Sequence, residues 1–120
     1  MATIKTHAED TIRILGGEHL LVHEWLDFYA KRWNPHIYSE YHRQFRHNAE
    51  GVKFIKDKWG FYSQQAAKVH IIRDYEMYLP NPVPLMDVMR EDQIDEIYNK
   101  ALKFCDPLRK DWKEWINENC

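Results

Sequence analysis

The sequence predicts an all-α protein, a compact bundle of about five to six helices in one domain over residues 1–120, with a proline-rich connector at 79–84. Three observations predict it. Helix caps and stops recur along the chain at helix-length spacing. Only four glycines are present, and turn dipeptides of the Asn-Gly kind that close β-hairpins are absent. Apolar residues recur at the three-and-four spacing that makes one stripe on a helix.

Taken in order, Thr6 followed by Glu9 forms a capping box, and the helix it opens stops at Gly16-Gly17. A second helix runs from Glu18 to Trp33, with Val22, Leu26, Tyr29 and Trp33 on its stripe. Asn34-Pro35 supplies a cap and a proline at the first helical position. The third helix then continues to Trp59, ended by Gly60, on a stripe of Ile37, Tyr41, Phe45, Val52, Ile55 and Trp59. Ser63 caps a fourth helix through Tyr78, with Ala67, Ile71, Tyr75 and Tyr78 facing the core. Leu79 to Pro84 ends it as a rigid connector. Asp92 and Asp95 open a fifth helix through Phe104, and Asp106-Pro107 opens a last one through Ile116.

Composition narrows the function classes. The 17 basic and 19 acidic residues nearly cancel, which argues against a general nucleic-acid binder. No apolar run approaches the roughly 20 residues that span a bilayer, so no membrane partner is expected. Met1 to Thr6 lacks the apolar region of a secretion signal. Cys105 and Cys120 lack metal-ligand spacing and read as free thiols, so a cytoplasmic location is expected. Aromatic residues make up 14% of the chain, more than a small core needs, and Trp112 and Trp115 offer a surface for a homo-oligomer.

The polar residues with chemical potential fall beside the core stripes. His19, His23 and Asp27 follow one another at i, i+4 and i+8 on the second helix, and His70 and Asp74 repeat the His-x-x-x-Asp spacing on the fourth. One such pair on a solvated flank contributes only a few tenths of a kcal/mol. Two pairs beside a third polar helix make a constellation. On that third helix Arg43, Arg46, His47 and Glu50 share a face, with His42 on its shoulder. His42 and His47 diverge by about 140° on a straight helix, so they do not chelate one ion together. Gly51 in mid-helix costs about 1 kcal/mol relative to Ala, and marks the close approach of a helix or a ligand. His19 and His36 read as bystanders.

These residues resemble a family of small, uncharacterised proteins of phages and bacteria, a domain of unknown function. The resemblance rests on His7, Gly16-Gly17, the run His23-Glu24-Trp25-Leu26-Asp27, the stretch from His42 to Gly51, and His70 with Asp74 ahead of Pro80. It covers about residues 7–80, and departs after Gly60, where the family carries a longer insert. It implies a protein of a bacterial or phage-infected cell. It points to the place of a site but brings no established activity.

Three functions compete. The first is a metal-dependent phosphohydrolase acting on a nucleotide or other phosphorylated small molecule. Imidazoles and carboxylates from separate helices suit Mn, Fe or Zn, and the expected ligands are His23, Asp27, His47, His70 and Asp74. Arg43 and Arg46 would grip phosphate oxygens in catalysis. Glu50 would serve as general base or support the ligands, and His42 and Trp25 would contact substrate. Helical histidine–aspartate phosphohydrolases have this character, although their adjacent His-Asp dipeptide does not occur in this sequence. The second is a metal-free module that sequesters a nucleotide, with Trp25, Tyr41 or Tyr75 stacking on the base. The third is a structural or oligomeric interaction protein whose His–Asp pairs only order the helices. All versions of the site need His23/Asp27 and His70/Asp74 to converge on the His47–Glu50 face.

Overall fold

The chain forms an all-α bundle. The computed structural model describes residues 3–28, 46–76, 79 and 89–104, and the described residues contain helices and no strand. The helices are α1 (Ile4–Leu15), α2 (Leu20–Leu26), α3 (Ala49–Trp59), α4 (Phe61–Tyr75) and α5 (Ile94–Ala101). Short 3-10 turns at Glu91–Gln93 and Leu102–Phe104 flank α5. The expected sixth helix, most of the proline-rich connector, His36, Tyr41, His42, Arg43, both cysteines, Trp112 and Trp115 lie outside the described residues.

Helix α1 starts one turn earlier than its capping signal suggests. Thr3, in extended geometry, accepts the Thr6 backbone N–H on its hydroxyl oxygen at 3.2 Å. Thr6 is therefore the third helical residue, and its hydroxyl lies 3.2 Å from that of Thr3. At the other end Gly16 donates its N–H to Ile12 O. Helix α2 is shorter than the expected Glu18–Trp33. Its N-cap, His19, sits in the left-handed region at φ 50°, and Asp27 leaves helical geometry at φ −96°, ψ 11°.

The expected unbroken third helix is overturned at residues 47–48. Asn48 is extended (φ −157°, ψ 177°) and accepts the Gly51 N–H at 2.8 Å, which makes it the N-cap of a new helix. Gly51 is thus the third residue of α3 and not a mid-helix weak point. A Cβ there would lie 2.0 Å from Arg46 O, so the close approach marked by the glycine comes from the chain's own turn. The next corner is tighter. Gly60, at φ +99°, donates to Lys56 O and accepts from the Gln64 N–H, closing α3 and opening α4 with one residue. Positive φ is free of the Cβ penalty only for glycine, which is why α4 begins at Phe61 without waiting for Ser63.

Helix α4 is the axis of the bundle, and α1, α2, α3 and α5 all pack on it. Its residues 65–67, 69–72, 74 and 75 are buried, so it has core on nearly every side, as a central helix must. Val22 and Leu26 from α2, Val52 and Ile55 from α3, Ile71 and Ile72 from α4, and Ile94 and Ile97 from α5 share one hydrophobic core. Four polar residues from the other elements and two from α4 interrupt it: His7, His23, Asp27 and His47 with His70 and Asp74.

Candidate metal centre

Helix α4 brings His70 and Asp74 to the middle of the bundle one turn apart, their closest atoms 3.3 Å from each other. Asp27 arrives from the end of α2. It is the C-cap of that helix, one turn beyond the buried His23, and its Oδ1 lies 3.1 Å from His70 Nε2. His47 comes from the turn ahead of α3, and its Nε2 lies 2.9 Å from Asp74 Oδ2 and 3.5 Å from Asp27 Oδ1. His7 comes from α1. Its Nε2 is 3.3 Å from Asp74 Oδ1 and 3.9 Å from Asp27 Oδ2, and its ring stacks on His70 with centroids 3.5 Å apart.

Three Nε2 atoms and two carboxylates from four elements thus face one volume. The His7, His47, His70 and Asp74 side chains have no solvent exposure, and that of Asp27 has 10%. Among these, one donor atom each from His7, Asp27, His70 and Asp74 lie within 4.8 Å of one another, the span of a cation's ligand sphere. A second such group joins His7, His23 and His70. Neither ring nitrogen of His7, nor Asp74 Oδ1, has a hydrogen bond. Buried polar atoms without hydrogen bonds cost free energy, and a cation placed between them would remove that cost.

The electrostatics follow from the two carboxylates. Burial alone would lower the pKa of His70, but the charges of Asp27 and Asp74 outweigh it and raise it to about 9. Asp74 is the mirror case. Burial would raise its pKa, yet His70 and hydrogen bonds from the histidines hold it well below 3.8. His7 is pushed below 6.5, first by burial and then by the charge of His70. Burial and the same neighbour drive His23 down to about 2. The metal-free cluster therefore carries its positive charge on His70.

The expected residues are not all at the centre. Asp27, His47, His70 and Asp74 converge. His23 stands behind His70: its Nδ1 is 2.9 Å from His70 Nδ1, and its Nε2 is 3.2 Å from the Thr11 hydroxyl. The shared His47–Glu50 face is overturned, since His47 is buried and Glu50 is exposed. The cause is the break at Asn48, which puts His47 outside the helix that carries Glu50. Arg46 donates to Trp25 O at 2.8 Å and lays its guanidinium 4.1 Å above the Trp25 ring and 5.2 Å above Phe28. Trp25 in turn stacks on Phe54 at 4.7 Å. Tyr75 is a core residue.

His7 is the member of this cluster that spacing arguments left out. The signal was present: Ile4, His7, Ala8, Thr11, Ile14 and Leu15 fall on one stripe of α1, so His7 occupies a core position. Comparison with protein-family models, with curated proteins and with solved structures gives no match.

Proposed function

We propose that this chain is a metal-dependent hydrolase acting on a nucleotide or another phosphorylated small molecule. The observation that carries the reading is the convergence of His7, Asp27, His70 and Asp74, buried, within one ligand sphere. Mixed imidazole and carboxylate donors suit Mn, Fe or Zn. A metal held there would supply a Lewis acid and a water acidified for attack. The protein's own residues set the frame. Asp27 and Asp74 balance the cation's charge, and His47 orients Asp74 through its 2.9 Å hydrogen bond. Asp27 has the most exposed side chain of the five, so substrate would approach on its side, where Trp25, Phe28 and Arg46 form a cation–aromatic stack. Arg46 would meet phosphate oxygens on leaving Trp25.

The test begins with elemental analysis of protein purified without an affinity tag. Stoichiometric transition metal is expected, followed by Mn-dependent release of phosphate from a panel of nucleotides. Asp74→Asn should lose both metal and turnover, the latter by at least about a hundredfold, given what a metal contributes to such chemistry. Tag-free protein that neither retains nor takes up a divalent ion would overturn the reading. A second reading draws on the burial of the cluster: the same ion fastens the helices and turns nothing over. Stoichiometric metal and a raised melting temperature, with no hydrolysis of any nucleotide, would select it.

A further inference from the structure

The buried contacts behind His70 form a directed chain. The Thr11 oxygen lies 3.2 Å from His7 O, 3.1 Å from Ala8 O and 3.0 Å from Glu18 O. Carbonyls only accept, so the single hydroxyl hydrogen is committed to one of them. The remaining contact of that oxygen, 3.2 Å to His23 Nε2, must then run the other way, with the imidazole as donor. His23 is fully buried, and His70 is the ring that bonds the Asp27 carboxylate. A neutral His23 protonated at Nε2 has a bare Nδ1. That lone pair faces His70 Nδ1 at 2.9 Å, which makes His70 Nδ1–H the donor. The other ring nitrogen of His70, Nε2, lies between Asp27 Oδ1 at 3.1 Å and Asp74 Oδ2 at 3.3 Å. A divalent ion that displaced the Nε2 proton would stand among these three atoms and take over its charge balance with the two carboxylates.

We propose that Thr11 and His23 are a positioning relay, which holds the His70 proton on Nδ1 and presents Nε2 as the donor to a divalent transition-metal ion. Histidines that bind metals commonly donate the other ring N–H to a neighbour that fixes ring and tautomer. A carboxylate or a carbonyl usually fills that role; here a second histidine does, itself fixed by a threonine. His23 thus leaves the expected ligand set and becomes the residue that aims a ligand. This inference rests on the metal-centre reading for the identity of the cation, whereas the tautomers can be read in the metal-free protein.

The experiment has two arms. Long-range proton–nitrogen NMR of 15N-histidine-labelled, metal-free protein reads which nitrogen of each ring is protonated. His23 should be protonated at Nε2 and bare at Nδ1; the opposite tautomer overturns the relay. In the second arm, Zn²⁺ affinity is measured by competition with a chromogenic chelator, and the visible spectrum of the Co²⁺ form reports ligand geometry. His23→Leu and Thr11→Val should weaken Zn²⁺ about 10- to 100-fold and alter the Co²⁺ bands. His23→Asn, whose Oδ1 can accept from His70 Nδ1–H, should stay within about threefold of wild type. If His23→Leu fails to fold, the near-isosteric Thr11→Val decides. Wild-type affinity and an unchanged Co²⁺ spectrum in the folded variants overturn the proposal. Wild-type protein that binds no Zn²⁺ and no Co²⁺ overturns the metal-centre reading instead, and the NMR arm still decides the relay.

Discussion

His70 is the residue on which the opposing forces at the centre meet, and they make stability depend on pH in both directions. Its folded pKa, raised from 6.5 to about 9, means the folded chain holds a proton that the unfolded chain releases. The stability this contributes is full below pH 6.5 and lost as pH rises through about 9. His23 and His7 are shifted the other way, so between about pH 2 and 6.5 the unfolded chain binds protons that the folded His23 refuses. Stability falls as pH drops below 6.5, and the lowered pKa of Asp74 adds to that loss at pH values below 3.8. Metal-free protein should therefore melt highest near pH 6.5, with lower melting temperatures on both sides; a profile that only rises or only falls would contradict these charge assignments. At this scale the sequence was partly readable. The His23/Asp27 and His70/Asp74 spacings located four buried polar residues. They did not reveal which nitrogen of His23 meets His70, because that depends on a threonine from another helix.

The elements are held in register by contacts that can be broken one at a time. Arg73 bonds Asp10 through Nε and Nη2, both at 2.7 Å, tying α4 to α1. Asp10 lies one turn beyond His7, and Arg73 one turn beyond His70, so this bidentate pair sets the height at which the two stacked imidazoles meet. Asp10→Ala removes a charge-assisted pair from a largely buried place and should cost about 2 kcal/mol in urea denaturation. The same variant should loosen metal binding, because His7 moves with α1. The turn at 46–48 is the second vulnerable point. Gly51→Ala would drive a methyl group into Arg46 O; overpacking of this kind costs about 1–3 kcal/mol. Its effect on metal affinity should exceed that of a surface variant of equal stability, since the displaced turn carries His47. A Gly51→Ala protein as stable as wild type would show that the turn does not hold His47. Helix periodicity alone pointed to one long third helix, since Val52 and Ile55 continue the stripe of the preceding residues. The signal that ends it is local: Asn48 followed three residues later by a glycine N–H.

For the molecule as a whole, burying two carboxylates and four imidazoles in a core of this size subtracts from stability unless they are paired. A metal that bound only the folded chain would restore it. At a free concentration of a hundred dissociation constants the gain is about 2.7 kcal/mol, or roughly 10 °C or more in melting temperature for a domain of this size. Scanning calorimetry with and without Zn²⁺ or Mn²⁺ checks this, and asparagine at position 74 should abolish the shift. The all-α architecture was legible from caps and stripes, since local signals specify helices well. No helix among the described residues is long and apolar enough to cross a membrane. The α1 stripe marks His7 as a core position, but its convergence with α4 was not legible in spacing, because that is a property of how distant stripes pack.

That same tie between α1 and α4 has a kinetic meaning. The bond from Asp10 to Arg73 joins residues 63 apart in sequence, and the proposed ligands His7 and Asp74 are separated by nearly the same stretch. A chain leaving the ribosome amino terminus first exposes α1 long before α4 exists, so the centre has no precursor that holds even two facing ligands from these helices. Long-range closure of this kind is entropically costly and slow to be rewarded. Metal capture should therefore be a late event in folding, following the docking of α4, and the ion should slow unfolding more than it hastens refolding.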